Sequence, residues 1–213
     1  MKKRKVSNAV IRRLPRYYQA LDRLHREGQV RISSSALGNY MGLTASQIRQ
    51  DLSCFGEFGQ QGYGYTIPDL RNEVSEILGM SRGYRAVILG AGNLGRALIN
   101  NFPFRDNGFE LLAAFDNNPA VIGTEINGIQ VLSMDDLNTF MAKNNVSVGI
   151  MTVPRKAAQN LAQTLADGGV KGIWNFTNTE ISVTPADVIV ESIHFADSLL
   201  ALSYLISNPS PEK

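Results

Sequence analysis

The sequence predicts an α/β protein of two modules in series. An N-terminal winged helix spans residues 1–82, a Rossmann-like parallel sheet spans 83–192, and a terminal helix spans 193–208. Three observations carry that expectation. Residues 1–85 hold 14 Lys and Arg against 7 Asp and Glu, whereas residues 86–213 hold 7 against 12. Two short helical patterns joined by a glycine precede a stretch in which glycines alternate with aromatics. Finally, "AVILGAGNLGRAL" at 86–98 is an apolar strand that runs into a glycine-rich turn and a helix.

The 213 residues, 44% of them hydrophobic, suffice to bury a core in one domain or two. No apolar run approaches the ~20 residues of a membrane-spanning helix. The basic start "MKKRKVSNAVIRRLPRYY" has no unbroken apolar stretch or small-residue cleavage site, so no signal peptide is expected. With Cys54 as the single cysteine, no internal disulfide can form, and a reducing cytoplasm is the expected location. The basic first module suggests a polyanionic partner; a solubilising basic face is the alternative.

Val10, Ile11, Leu14, Tyr17, Tyr18, Leu21 and Leu24 recur at helical spacing, and Gly28 stops the pattern. Pro15 either opens the longer helix at its first position or kinks it. Ser34 or Ser35 can cap the next short helix, which buries Leu37 and Met41 and ends at Gly42. Thr44 is a good N-cap for the helix after it, with Gln47 at the capping-box spacing and Ala45, Ile48 and Leu52 on one apolar stripe. The outward face is then Ser46, Gln47, Arg49, Gln50 and Ser53. Arg can bond guanine bidentately and Gln adenine, so this face is competent to read a major groove. A plain helical hairpin with a solvated face would look the same. The stretch "GEFGQQGYGYTI" favours the reader, because a glycine-punctuated hairpin after such a helix is a wing, with Gln60 and Gln61 at its tip and Tyr63 beside them. A P-loop would need a Lys-Ser/Thr ending, which this stretch lacks. "IPDLRNEVSEILGM" forms a connecting helix from Pro68 to Gly79, and the boundary falls near 81–84.

In the second module Gly90, Gly92 and Gly95 keep the spacing of a dinucleotide turn, with a strand before and a helix after. Gly90 permits the tight turn, Gly92 the close approach of a pyrophosphate, and Gly95 the packing of helix on strand. Unpaired N–H groups at the helix N-terminus would meet the diphosphate. Asp116 ends the next strand, 21 residues after Gly95, where an acid accepts from ribose hydroxyls and repels the extra phosphate of NADP. NAD(H) is therefore the expected ligand. Thr152, Val153 and Pro154, and then Asn175, Phe176 and Thr177, fall at strand C-termini, where ligands of such sheets bind. Either Phe176 or Phe195 could give the nicotinamide an apolar wall that favours the neutral reduced ring.

A dehydrogenase needs a group to move the hydroxyl proton. His25 and His194 lie away from the strand C-termini, and Lys156 is two residues past Pro154, so no catalytic residue and no enzyme activity are expected. No metal site is expected either. The terminal stretch "HFADSLLALSYLI" is apolar on most of its circumference, which calls for a partner subunit or for core packing within one chain. An NAD-dependent oxidoreductase and a CoA-binding module remain open alternatives.

Joined in this order, "RRLPRYYQAL", "SQIRQDLSCFG", "GQQGYGY", "ILGAGNLGRAL", "AAFDNNPAVIGTEINGIQV", "MTVP" and "GIWNFT" resemble the Rex family of redox-sensing transcriptional repressors nearly end to end. The resemblance implies a homodimer on inverted-repeat operators in double-stranded DNA that leaves them as NADH rises relative to NAD⁺. It implies a C-terminal helix exchanged between the subunits, and target genes of respiration and fermentative NAD regeneration. By position, Gly90, Ala91, Gly92, Asn93, Leu94, Gly95 and Asp116 would hold the adenosine diphosphate. Thr152, Val153, Pro154, Asn175 and Phe176 would line the path to the nicotinamide, with Phe195 nearby. Arg13, Thr44, Ser46, Gln47, Arg49, Gln50, Gln60, Gln61 and Tyr63 would face the DNA. The sequence departs from the family where Gln50, Gln60 and Gln61 replace basic residues. It departs again where His194 replaces an acid that pairs with a basic residue of the first module, a partner that Arg13 would supply here.

Overall fold

The computed structural model describes residues 6–59 and 63–208, so Gln60 and Gln61 lie outside the described residues. The chain divides into two compact units, Met1–Arg82 and Gly83–Lys213.

The first unit is helical. Helix α1 (Asn8–Arg26) starts at Ser7, whose hydroxyl accepts the Val10 N–H. Pro15 therefore sits inside α1 instead of opening it. The carbonyl that Pro15 cannot serve belongs to Ile11, which is exposed, so water can satisfy it. Strand β1 (Arg31–Ile32) leads to α2 (Ser34–Met41), capped by Ser33 rather than by Ser34 or Ser35. Ser33 is the last extended residue, and its hydroxyl reaches the Ala36 N–H at 3.1 Å. Gly42 ends α2 with φ +69°, and Thr44 caps α3 (Ala45–Ser53) by accepting from the Gln47 N–H. Strand β2 (Tyr65–Thr66) pairs antiparallel with β1, and α4 (Ile67–Leu78) follows, with Pro68 in its first turn and Gly79 at its end. Tyr17, Leu21, Leu37, Ile48, Ile67 and Val74 form the fully buried centre of this unit. At the base of the wing a Cβ on Gly64 would lie 2.4 Å from the Ile32 carbonyl oxygen, so only glycine lets β1 and β2 approach.

The second unit is a seven-stranded sheet. In chain order it holds β3 (Tyr84–Leu89), α5 (Asn93–Asn101), β4 (Phe109–Asp116), β5 (Glu125–Ile126), β6 (Ile129–Ser133), α6 (Leu137–Asn144), β7 (Val148–Met151), α7 (Arg155–Asp167), β8 (Gly172–Asn175), β9 (Ile189–Ser192) and α8 (Phe195–Ser207). The spatial order is β5-β6-β4-β3-β7-β8-β9, parallel throughout except for the β5–β6 hairpin. The Asn127–Gly128 pair turns that hairpin, both residues having positive φ. Ala86, Val87, Ile88 and Leu89 are all buried and alternate between two apolar layers, one on each face of the sheet. Because β4 lies on one side of β3 and β7 on the other, the connections reverse direction at the C-terminal end of β3. That reversal opens the crevice where doubly wound sheets bind ligands. Helix α8 buries none of its residues; Leu199, Leu200 and Tyr204 are each 67% exposed.

Candidate dinucleotide site and nucleic-acid interface

The glycine turn occupies the reversal point. Gly90 has φ +99°, and a Cβ on it would lie 2.8 Å from the Thr152 carbonyl oxygen. A Cβ on Gly95 would lie 1.9 Å from the Gly90 carbonyl oxygen. By contrast, a Cβ on Gly92 would meet no protein atom within 4 Å. Gly92 is also the N-cap of α5, which has no side-chain cap. The first turn of α5 thus presents N–H groups and the positive end of its dipole over open space, which suits a diphosphate.

Asp116 reaches this turn because β4 runs parallel to β3 and ends beside it, the Gly90 N–H donating to the Phe115 carbonyl. One carboxylate oxygen accepts the Ala91 N–H at 2.7 Å, and the other accepts the Asn118 N–H at 2.8 Å. The Ala91 carbonyl in turn accepts from Arg96 Nε at 3.0 Å. Sequence reasoning passed over Arg96, although its place one residue after Gly95 was a usable signal. The Thr152 hydroxyl lies within hydrogen-bond distance of the Leu89 and Gly90 carbonyls, so this side chain holds the turn in place.

The next two loops share the same edge. Val153 is buried and Pro154 starts α7, which also lacks a side-chain cap. Asn175 is fully buried: its amide donates to the Thr179 carbonyl and the Ser192 hydroxyl, and its oxygen accepts from the Thr177 N–H and hydroxyl. Those four bonds fill its capacity, so Asn175 shapes the loop. Phe176 stacks edge-on to Trp174, ring centroids 4.5 Å apart, and lies 6.2 Å from the Phe195 ring. His194, the N-cap of α8, lies 3.3 Å from Asn178 Oδ1 and 3.6 Å from a Glu180 oxygen.

In the first unit α3 sorts its polar residues onto two sides. Ser46, Arg49, Gln50 and Ser53 are exposed at i, i+3, i+4 and i+7, a single stripe. Arg49 Nη1 donates to the Ser34 hydroxyl at 2.9 Å. Gln47 falls outside the stripe: its amide donates to Asp51 at 2.7 Å and makes no return bond to the cap. Arg13 grips the same carboxylate with Nε at 2.6 Å and Nη2 at 2.8 Å, and the Tyr17 hydroxyl donates at 2.9 Å. Burial alone would raise the Asp51 pKa, yet hydrogen bonds from Arg13, Gln47 and Tyr17 hold it below the usual carboxylate value. Burial, together with the bond to Asp51, pushes the Tyr17 hydroxyl well up. Arg13 and Gln47, expected on the DNA face, are thus engaged within the unit. Neither Asp51 nor Tyr17 was expected at the site; the i,i+4 spacing of Gln47 and Asp51 was the one available sign. A cleft of about 740 Å³ runs beside α3, lined by Ser33, Arg49, Leu52, Phe58 and Tyr65 among others. Tyr63 is exposed, with the Arg31 guanidinium 5.9 Å from its ring centroid.

A helix-turn-helix with a polar outward stripe, joined to a doubly wound sheet with a dinucleotide turn, defines a ligand-responsive DNA-binding regulator. Residues 5–53 match the family model described as "Putative DNA-binding protein N-terminus", and residues 81–179 match "CoA binding domain". The "Redox-sensing transcriptional repressor Rex" of Clostridium botulinum is 49% identical over 97% of this chain and 98% of that protein. The Rex of Clostridium acetobutylicum is 48% identical over 96% and 95%. The chain belongs to the Rex family of redox-sensing transcriptional repressors. Among solved structures, that of RSP with beta-NAD+ and operator DNA superposes at a TM-score of 0.90, with 45% identity over 96% of this chain and 94% of that one. The structure of RSP with beta-NADH gives 0.88 and 42%, over 96% and 95%.

Proposed function

We propose that this chain is an NADH-responsive repressor that binds inverted-repeat operators in double-stranded DNA as a homodimer and leaves them when NADH binds, in the cytoplasm. The observation that carries this reading is the placement of Asp116 and the glycine turn at the reversal point of the sheet, in a chain that matches redox-sensing repressors end to end. The crystallised complexes of RSP with operator DNA and with NADH support it.

In this reading residues 1–82 bind DNA, 83–192 bind NAD(H), and 193–208 dimerise. Ser46, Arg49 and Gln50 enter the major groove, and Thr44 and Tyr63 lie against the backbone. Gly90, Ala91, Gly92, Asn93, Leu94 and Gly95 seat the diphosphate, and Asp116 binds the adenosine ribose. The loops at Thr152–Pro154 and Asn175–Thr177 frame the nicotinamide. An apolar wall from Phe176 and Phe195 imposes a desolvation cost on the cationic NAD⁺ ring that neutral NADH escapes. The apolar face of α8 is covered by the second copy through exchange. Linkage makes the response reciprocal: the factor by which NADH weakens operator binding is the factor by which operator weakens NADH binding.

A mobility shift tests the reading, with full-length protein, duplex DNA and separate titrations of NADH, NAD⁺ and CoA. Release at a lower concentration of NADH than of NAD⁺ is expected, with no release by CoA. Release by no nucleotide overturns the sensor reading. Preferential release by CoA, the ligand in the name of the matched family model, replaces NADH with CoA as the effector.

A further inference from the structure

Asp51 stands apart from every group assigned above to DNA or dinucleotide. It is 1% exposed, on the inner side of the helix whose outer stripe is Ser46, Arg49, Gln50 and Ser53. Both oxygens are doubly engaged: Oδ2 by Arg13 Nε and the Tyr17 hydroxyl, Oδ1 by Arg13 Nη2 and Gln47 Nε2. We propose that Asp51 is a positioning residue for base reading, through which Arg13 and Tyr17 of α1 fix the roll of α3, while Gln47, on α3 itself, holds the carboxylate in the orientation they grip. The proposal rests on the operator-binding reading above and adds to it what sets the angle of the reader.

The other buried side chains of α3, Ile48 and Leu52, are apolar, and Arg49 ties the helix to Ser34 of α2 and not to α1. Apolar contact has no preferred direction and resists a small roll less sharply than a directional bond does. A two-pronged bond from a planar guanidinium fixes both angle and distance. The magnitude matters, because side-chain tips lie ~5–6 Å from a helix axis and a roll of ~10° moves them by about 1 Å. An N–H···O bond tolerates only ~0.5 Å. A clamp on the inner face therefore decides whether Arg49 and Gln50 meet base edges in register. Arg13 and Gln47 then act on DNA through Asp51 and not by contact.

The test uses the full chain and a duplex that the wild-type protein enriches from a randomised pool, with a scrambled duplex as reference. Asp51→Asn, Arg13→Lys and Gln47→Ala are compared at several salt concentrations and on operators substituted one base pair at a time. Circular dichroism and thermal melting report folding, and the two milder variants decide the matter where Asp51→Asn does not fold. Each variant is expected to lose about tenfold or more of its preference for the enriched duplex, on the scale of a mismatched base pair. The loss is spread over the whole half-site, and the salt slope is unchanged. Three results overturn the proposal: preference equal to wild type, a loss confined to one base pair for Gln47→Ala, or, for Arg13→Gln compared alongside, a slope smaller by about 1, the mark of a lost phosphate contact. A wild-type chain that enriches no duplex overturns the operator reading itself, and the proposal with it.

Discussion

The carboxylate of Asp116 accepts the Ala91 N–H at 2.7 Å, which ties the end of β4 to the turn after β3. In the proposed reading, the acid that binds the ribose is also one of the struts of the diphosphate seat. Asp116→Asn removes the charge and weakens both roles. It is expected to reduce NADH affinity by about tenfold, the value of a charge-assisted bond, and to narrow the preference for NADH over NADPH. Fluorescence titration of both nucleotides checks this; an unchanged preference would exclude Asp116 from the ribose site.

Gly92 and Gly95 make opposite predictions from one substitution. Gly95→Ala drives a methyl into the Gly90 carbonyl oxygen at 1.9 Å, so the sheet unit should lose ~2 kcal/mol or more. Gly92→Ala meets no protein atom within 4 Å and should melt like wild type, while its methyl takes the space proposed for the diphosphate. Calorimetry without nucleotide, followed by NADH titration, separates the two. Normal NADH binding by Gly92→Ala would move the diphosphate elsewhere.

The Asp51 clamp should make the reader unit sensitive at both ends of the pH scale. Asp51 has a folded pKa below its ordinary value of 3.8, so its contribution is present above that value and lost as pH falls further. Tyr17 has a raised pKa, so its contribution is complete below its ordinary value of 10.0 and lost as pH climbs beyond it. The protection factors of the α3 amides in the full chain, taken against the intrinsic exchange rate at each pH, should fall in both windows. In Asp51→Asn the acid step should disappear, and its persistence would assign that step to another carboxylate.

Helix α8 exposes Leu199, Leu200, Leu202, Leu205 and Ile206. Each leucine buried at an interface contributes ~1.5–3 kcal/mol. Leu199→Glu with Leu205→Glu should therefore raise the dimer dissociation constant at least about 100-fold and abolish operator binding. Sedimentation and mobility shift read the two effects, and a stable dimer of the double variant would remove α8 from the interface.

What the sequence made legible was local. The two short helices with their cap at Thr44, and the strand-turn-helix around Gly90, are written in neighbouring residues. Asp51 was opaque because its partners Arg13 and Tyr17 lie 38 and 34 residues away on another helix. Arg13 and Gln47 therefore looked like free polar side chains. Asn175 looked like a ligand group because its four internal bonds depend on how the loop after β8 folds. The wing's two-residue strand β2 pairs with β1, on the far side of α2 and α3, a contact that no periodicity encodes. The β5–β6 hairpin was passed over, although Asn127–Gly128 was a usable sign, because its strand β5 is only two residues long.

The turn after β3 is braced by its own chain: Asp116 holds the Ala91 N–H, Arg96 holds the Ala91 carbonyl, and the Thr152 hydroxyl sits against the Gly90 carbonyl. A seat built in this way asks for little loop ordering from the ligand that settles in it. For a sensor the consequence is one of tempo. In the proposed sensor, arrival is then limited by diffusion and orientation rather than by rearrangement, and arrival and departure rates together set how quickly occupancy follows a changing pool.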